Sequence, residues 1–442
     1  MKRKLFLYTF VAALGGLLFG FDTAVINGAI PFFTEYFGLS ETLKGWAVSS
    51  ALIGCIAGAI LIGKPADLYG RLMMLRVMAL FFLVSSIGTG MAASLTMFIL
   101  FRFLGGIAIG GASVLSPMYI SEIAPPGYRG RLTITFQLAI VLGILVAFFS
   151  DYLLLDTGQN NWRWMFIVGA IPSLAFLILL FFVGRSPRWL VKVGKLEEAR
   201  TVITSVGSED ADKTIEEIRQ SIDSEVLSKN IYLFKPPLIK LVFIGFLVGM
   251  INQLTGINIV MYYATDIFRS AGFSTGSAIG QTVLIGLTNL VFTFVGMALI
   301  DKVGRKALLL AGSLGMSVFL GIFAYAFFSG NMGGFVLLFC LIGFAAFFAA
   351  TQGSVIWVLL SEMFPNNIRS RGSSIGSFSH WLFNSLFAFL FPIVSNSLVH
   401  GTAYVFTFYA VTTFMSFFFF SKYIVETSGI SLEALEKRVI KK

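Results

Sequence analysis

The sequence predicts an all-α membrane protein of twelve transmembrane helices, in two pseudo-symmetric six-helix halves joined by a cytoplasmic helical insert. Three observations carry that prediction. The 442 residues are 57% hydrophobic and only 12% charged, too little charge to cover a soluble chain of this size. The apolar residues fall in blocks of about 20, long enough to cross a bilayer core as helices. Two charged motifs recur, once in each half of the chain. The alternation of apolar and polar residues that marks a membrane β-barrel is absent.

By the bilayer-length criterion the spans read as 5–30, 45–63, 73–93, 97–121, 132–155, 164–183, 238–265, 277–300, 307–329, 333–360, 373–398 and 402–423. The start, Met1-Lys-Arg-Lys followed by apolar residues to Phe21, has the outline of a signal peptide. Its apolar region is too long and no cleavage site precedes the next polar stretch, so it reads as an uncleaved first span. The long polar insert carries Glu197, Glu198, Arg200, Glu216, Glu217 and Arg219 among apolar residues at helical spacing. That pattern predicts short amphipathic helices at the membrane surface. The chain therefore divides into a first half (1–184), the insert (185–236), a second half (237–424) and a short tail (425–442).

The net charge is +10. In a soluble protein this would suggest nucleic acid, but here the basic residues sit in short loops, which excludes that reading and fits membrane topology. Lys2, Arg3, Lys4, Arg71, Arg76, Arg129, Arg131, the insert, Lys302, Arg305, Lys306, Arg369, Arg371, Lys441 and Lys442 lie on one side, with little beyond Lys44, Arg163 and Arg269 on the other. Both termini and the insert are expected in the cytoplasm. Cys55 and Cys340 lie inside apolar blocks and read as packing residues, with no disulfide framework or zinc spacing.

The repeat comes next. Ser121-Glu-Ile-Ala-Pro-Pro-Gly-Tyr-Arg129-Gly-Arg131 parallels Ser361-Glu-Met-Phe-Pro-Asn-Asn-Ile-Arg369-Ser-Arg371, with Glu122 and Glu362 the same 240 residues apart as Arg129 and Arg369. Asp67-Leu-Tyr-Gly-Arg71 likewise parallels Asp301-Lys-Val-Gly-Arg305, 234 residues on. Parallel repeats of six helices suit alternating access around a midplane site. The repeated charges at cytoplasmic helix ends are expected to gate it: Glu122 with Arg129, and Glu362 with Arg369, as ion pairs locking the halves when the inside is shut, with Asp67 and Asp301 joining them. The plainer reading of these charges is topology and loop folding alone.

Together with Gly20-Phe-Asp22-Thr-Ala-Val-Ile, Arg102-Phe-Leu-Gly-Gly, Pro117-Met-Tyr-Ile-Ser-Glu122, Ser186-Pro-Arg-Trp-Leu190, Gln253-Leu-Thr-Gly-Ile-Asn258 and Trp357-Val-Leu-Leu-Ser-Glu362, these motifs make the whole chain resemble the sugar porter family of the major facilitator superfamily, nearest to its bacterial proton–sugar symporters of the xylose type. The resemblance implies a major facilitator fold and a transporter rather than an enzyme, acting without a cofactor beyond the proton. The chain departs from the family pattern at Asn252, Ser354, Arg185, His380 and the Val425-Glu426-Thr-Ser-Gly tail.

A sugar presents hydroxyls and an apolar ring face, so its site needs neutral amides and an aromatic platform. The polar and aromatic residues inside the spans that meet this need are Gln137, Asn252, Gln253, Asn258, Asn289, Trp357, His380, Trp381 and Asn384. The resemblance places Gln137, Gln253, Asn258, Asn289 and Trp357 on sugar-contacting positions. The alternative for each amide is a bond between helices. Gln253 and Asn258, about 140° apart on an ideal helix, can line one cavity only if the helix breaks, and Gly256 between them permits that. Asp22 lies deep in the first span, where a carboxylate is costly and usually functional. Arg102 in the fourth span is its expected partner, and a carboxyl that pairs in one state and is protonated in another couples proton movement to conformation.

The expected function is proton-coupled symport of a hexose or pentose by a monomer in the lipid bilayer. The second reading is uncoupled facilitated transport of a sugar or a polyol such as inositol, with Asp22 structural. A membrane enzyme or sensor finds no metal motif, nucleophile–base pair or phosphate-cradling loop in the sequence.

Overall fold

The structure, a computed structural model, describes residues 3–125, 128–207, 210–228, 233–236, 238–330, 335–364 and 368–426. Twelve helices among the described residues are long and apolar enough to cross a membrane: Arg3–Phe37, Glu41–Leu61, Arg71–Gly90, Leu95–Ile123, Arg131–Leu153, Asn161–Leu179, Leu238–Ser270, Thr275–Val303, Arg305–Ser329, Val336–Leu360, Arg371–Ser397 and Gly401–Tyr423. All twelve sequence-predicted spans are present, in order. Serine caps begin two of them: Ser94 Oγ accepts from Met97 N at 3.3 Å, and Ser274 Oγ accepts from Ser277 N at 3.3 Å.

The helices form two compact units. The first holds residues 1–29 and 50–230. In it the insert forms the helices Pro187–Lys192, Leu196–Val206 and Ala211–Ser228, as the spacing predicted. The first and fifth spans cross backbone to backbone: a Cβ on Gly20 would strike the Ile140 carbonyl, and one on Gly143 the Leu17 carbonyl. Small residues permit such contact where lipid supplies no hydrophobic drive for helices to associate.

The second unit holds residues 30–49 and 231–442. Its seventh and eleventh spans repeat the close crossing, with Gly249 against the Gly376 carbonyl. The 30–49 segment is fastened within this unit by charge: Lys44 Nζ lies 2.9 Å from Glu41 and 3.4 Å from Asp266, and Asn396 Nδ2 donates to Glu41 at 2.9 Å. The unit boundary at Ala29/Ile30 thus falls inside the first span, rather than at the loops where the sequence placed its divisions.

Several spans are broken. The first is two helices, Arg3–Ala24 and Ile26–Phe37; the seventh is Leu238–Gln253 and Ile257–Ser270; the tenth is Val336–Ala350 and Gln352–Glu362. In the seventh the break is at Gly256, whose φ is +78°, as the amide spacing required. In the tenth, Ser354 donates its N–H to Thr351 O at 3.2 Å and its hydroxyl to Ala349 O at 2.7 Å. A proline at 354 would lack the first of these bonds.

Gly256→Ala should lower the melting temperature of the purified protein. The left-handed backbone is strained for any L side chain, by about 1–3 kcal/mol, and a Cβ there would stand 2.5 Å from the Tyr409 ring. Gly321→Ala, with nothing within 4 Å of the added Cβ, is the control and should leave the melting temperature unchanged or slightly higher.

Candidate functional site

Three groups of polar residues stand out from the apolar helices. The first is Asp22 with Arg102, in the first unit. Arg102 NH1 donates to Asp22 Oδ1 at 2.7 Å and to the Asp22 carbonyl at 3.1 Å. The guanidinium also sits 5.4 Å from the Phe166 ring centroid. Both side chains are buried, Arg102 being 2% exposed. Asp22 Oδ2 and Arg102 Nε have no hydrogen-bond partner, so the pair meets through a single guanidinium nitrogen rather than as a two-pronged fork. A buried ion pair is destabilised by several kcal/mol when one partner loses its charge. A proton arriving on Asp22 therefore acts directly on the link between the first and fourth spans.

The second group lies in the second unit and is built on the broken seventh span. The helix Leu238–Gln253 ends at the amide pair Asn252 and Gln253, and the next helix begins just before Asn258. Asn258 Nδ2 donates to Gln253 Oε1 at 2.9 Å, and Gln253 Nε2 donates to Asn252 Oδ1 at 3.3 Å. The same Nε2 lies 2.9 and 3.1 Å from the two ring nitrogens of His380. An amide N–H donates only to an unprotonated ring nitrogen, so this pairing belongs to neutral imidazole. His380 is flanked by two indoles, Trp357 with ring centroids 4.9 Å away and Trp381 at 5.4 Å. Trp357 is 38% exposed while Trp381 is 3% exposed, so Trp357 is the one able to offer a face to a ligand. Asn384 Nδ2 donates to the Tyr262 hydroxyl at 3.1 Å.

The structure thus joins Asn252, Gln253, Asn258, Trp357, His380 and Trp381 into one cluster, with Asn384 on the eleventh span tied to Tyr262. Asn289 is buried on the eighth span, and no bond among the described residues links its side chain to the cluster. Gln137 is half-buried on the fifth span, in the first unit. Three further residues here carry no mark in the sequence. Tyr262 and Tyr263 are buried on the second half of the seventh span, and the Tyr263 hydroxyl donates to Ala388 O at 2.7 Å. Gln352, at the break of the tenth span, is fully buried with both amide atoms unpaired. Only the chemistry of Gln352 was visible in the sequence; its burial was not.

The third group is the repeated charges, which among the described residues pair through the arginine of each Asp-x-x-Gly-Arg motif. Arg71 bonds Asp67 at 3.0 Å and Glu122 at 3.1 Å; Arg305 bonds Asp301 at 2.9 Å and Glu362 at 3.2 Å. Each glutamate pairs with the arginine of the Asp-x-x-Gly-Arg motif of its own unit. The side chains of the expected partners Arg129 and Arg369 lie outside the described residues, and Arg131 and Arg371 are exposed. The physical reason for the observed pairing is the glycine before each arginine. Gly70 and Gly304 adopt φ of +90° and +91°, which turns the chain so that the guanidinium also reaches back to the carbonyls of Ala66 and Ile300, at 3.0 and 3.1 Å.

Each triad is completed by residues from outside its two motifs. In the first unit Ser186 Oγ donates to Glu122, Lys192 pairs with Asp67 at 3.1 Å, and Trp189 Nε1 donates to the Asp67 carbonyl at 3.2 Å. In the second unit Glu426 accepts from the backbone N–H groups of Arg305 at 2.9 Å and Lys306 at 3.0 Å. A carboxylate at the first turn of a helix is favoured by both the free N–H groups and the helix dipole.

Twelve spans, an intramembrane acid–base pair and an uncharged amide–aromatic cluster define an integral membrane transporter rather than an enzyme. The chain belongs to the sugar transporter family: the family model described as "Sugar (and other) transporter" matches residues 8–438. It is 36% identical over 437 residues to the arabinose-proton symporter of Bacillus subtilis (strain 168), covering 97% of this chain and 94% of that one. It is 36% identical over 470 residues to the D-xylose-proton symporter of Escherichia coli (strain K12), covering 98% and 95%. Among solved structures it matches the inward-open conformation of the E. coli xylose transporter XylE with a TM-score of 0.87 at 34% identity, over 98% of this chain and 99% of that one. The fold is the major facilitator fold.

Glu426→Ala should lower the melting temperature measurably while leaving the first unit's triad intact. It uncaps two helix N–H groups at once, and the loss of one such cap costs about 0.5–2 kcal/mol. Thermal unfolding of the purified protein checks it.

Proposed function

We propose that this chain carries a monosaccharide, a hexose or a pentose, across the membrane together with a proton by alternating access. The observation that carries the reading is the pairing of Asp22 with Arg102 inside one unit, and a set of neutral amides bonded to one another inside the other. The two needs of symport, a titratable group and a sugar-shaped set of donors and acceptors, are met by different residues. The relatives named as pentose–proton symporters support it, as does the XylE structure described as bound to 6-bromo-6-deoxy-D-glucose, with a TM-score of 0.83.

Sugar contact is assigned to Gln253, Asn252, Asn258, Trp357, His380, Trp381, Asn384 and Asn289 in the second unit, with Gln137 a contact offered by the first. A hydroxyl pair on the substrate replaces bonds these amides now make among themselves, so the site stays satisfied whether empty or loaded. Asp22 is the proton carrier and Arg102 its counter-charge. Protonation removes the ionic part of their bond and lets the first span move relative to the fourth. The triads around Arg71 and Arg305 act as cytoplasmic gating charges. The protein works as a monomer in a plasma membrane with both termini in the cytoplasm, and needs no cofactor beyond the proton.

Two measurements test this. In proteoliposomes, acidifying the outside should stimulate uptake by the wild-type protein. Asp22→Asn should lose net accumulation yet still exchange labelled sugar in counterflow. Equilibration without accumulation by the wild-type protein, indifferent to acid and unchanged in Asp22→Asn, would instead establish the uncoupled facilitator. Gln253→Ala should weaken binding of the transported sugar by tenfold or more, about 1.4 kcal/mol, because it leaves Asn258 and His380 without their shared partner. Isothermal titration with a monosaccharide panel would show this.

A further inference from the structure

Among the described acidic residues Asp22 and Asp151 are the most buried as whole residues, 6% and 0% exposed. The mechanism uses the first and leaves the second unexplained. Asp151 lies in the last turn of the helix Arg129–Leu153, near a span end, yet its exposure is 0%. Oδ2 accepts from the backbone N–H of Gly28 at 3.2 Å, and Oδ1 has no partner. The charged residues on the spans packed against it are engaged elsewhere or lie apart. On the first span these are Asp22, bound to Arg102, with Arg3, Lys4 and Glu35 towards the two ends. On the fourth, Glu122 pairs with Arg71; on the sixth, Arg163 donates to the carbonyls of Gly90 and Ala92. No salt bridge among the described residues reaches Asp151.

Its one ligand sits at a mechanically distinctive place. Gly28 is in the first turn of the helix Ile26–Phe37, just past the break in the first span. It lies six residues beyond Asp22, on the other side of the break. The boundary between the two compact units falls directly after it, at Ala29/Ile30. The fit is close: a Cβ on Gly28 would stand 2.5 Å from Asp151 Oδ2 and 2.6 Å from its Cγ. Only glycine lets the carboxyl seat against the backbone.

We propose that Asp151 is a second proton-carrying carboxyl of the transport cycle, a positioning residue that holds the first span at Gly28 while neutral and releases it on ionising. An ionised carboxylate with a single backbone N–H and no cation is strongly disfavoured away from water. A neutral acid meets the same geometry without that penalty: Oδ2 accepts from Gly28, and the proton sits on the unpaired Oδ1. The proton comes from water when the first span docks and returns to water when Gly28 withdraws and the carboxyl is hydrated. Only the O–H bond forms and breaks. Because the docked span binds the proton more tightly, protonation must in turn favour docking. The inference rests on the symport reading, to which it adds a second titrating group on the span that carries Asp22.

The test uses the full-length protein in proteoliposomes. Asp151→Asn keeps an oxygen for Gly28 but cannot titrate. Sugar counterflow should stay within about twofold of wild type. The dependence of proton-driven uptake on external pH should show one titration step where wild type shows two interacting ones. Of the protonated-carboxyl bands in the sugar-induced difference spectrum, one should disappear while the one that Asp22→Asn removes stays. A pH profile and band identical to wild type would overturn the inference and leave Asp151 a structural cap. Gly28→Ala covers the case in which Asp151→Asn fails to fold: it keeps the acid and obstructs its seat, so it should displace the same titration step, and an unmoved profile would overturn the proposal. If wild type showed no acid-driven uptake, both readings would fall; normal wild-type symport with unaltered variants would remove only this one.

Discussion

Hydrocarbon cannot solvate charge, so an acid placed inside the membrane must find its compensation within the protein. The Asp22–Arg102 bond is where this constraint shapes the molecule most. It joins the first and fourth spans through one guanidinium nitrogen at 2.7 Å, with a second carboxylate oxygen and Arg102 Nε left unpaired. A fully satisfied fork would be a lock. A singly attached pair, held by burial and an aromatic face, can be undone by one proton. Around it, glycines at crossings such as Gly20 and Gly143 let the first and fifth spans close to backbone contact.

The second unit solves a different problem with the same helical plan. It carries no buried charge in its amide cluster. Its seventh span is instead broken at Gly256, so that Gln253 and Asn258 meet at 2.9 Å although an unbroken helix would point them apart. The corresponding first span is also broken, next to Asp22. The pseudo-symmetric pair of breaks therefore presents a titratable group in one half and neutral amides in the other. Duplicated architecture with divergent chemistry is what coupling two unlike cargoes requires.

Much of this was legible in the residues. Span number and order follow from hydropathy, because length and apolarity are both local properties of the chain. Asp22 and Arg102 were legible because charges inside apolar blocks are costly and few. The break at Gly256 was legible from a geometric conflict between two amides five residues apart. Other features were not. Among the described residues Glu122 and Glu362 pair with Arg71 and Arg305, which the fold brings from another helix through a positive-φ glycine that looks unremarkable in a string of letters. The seating of Asp151 on Gly28 joins residues 123 positions apart. No periodicity marks it, and the burial of Gln352 is hidden in the same way.

The two arginine triads also differ in where their last member comes from. The first is completed by Ser186 and Lys192 of the insert, the second by Glu426 beyond the final span. Halves of a chain made from the amino terminus onward fold as they emerge. The first bundle can close its charge cluster as soon as the insert has left the ribosome. The second must wait with uncapped N–H groups at residues 305 and 306 until synthesis has passed the final span and reached Glu426. Duplication gave the two bundles one blueprint, but translation gives them different clocks.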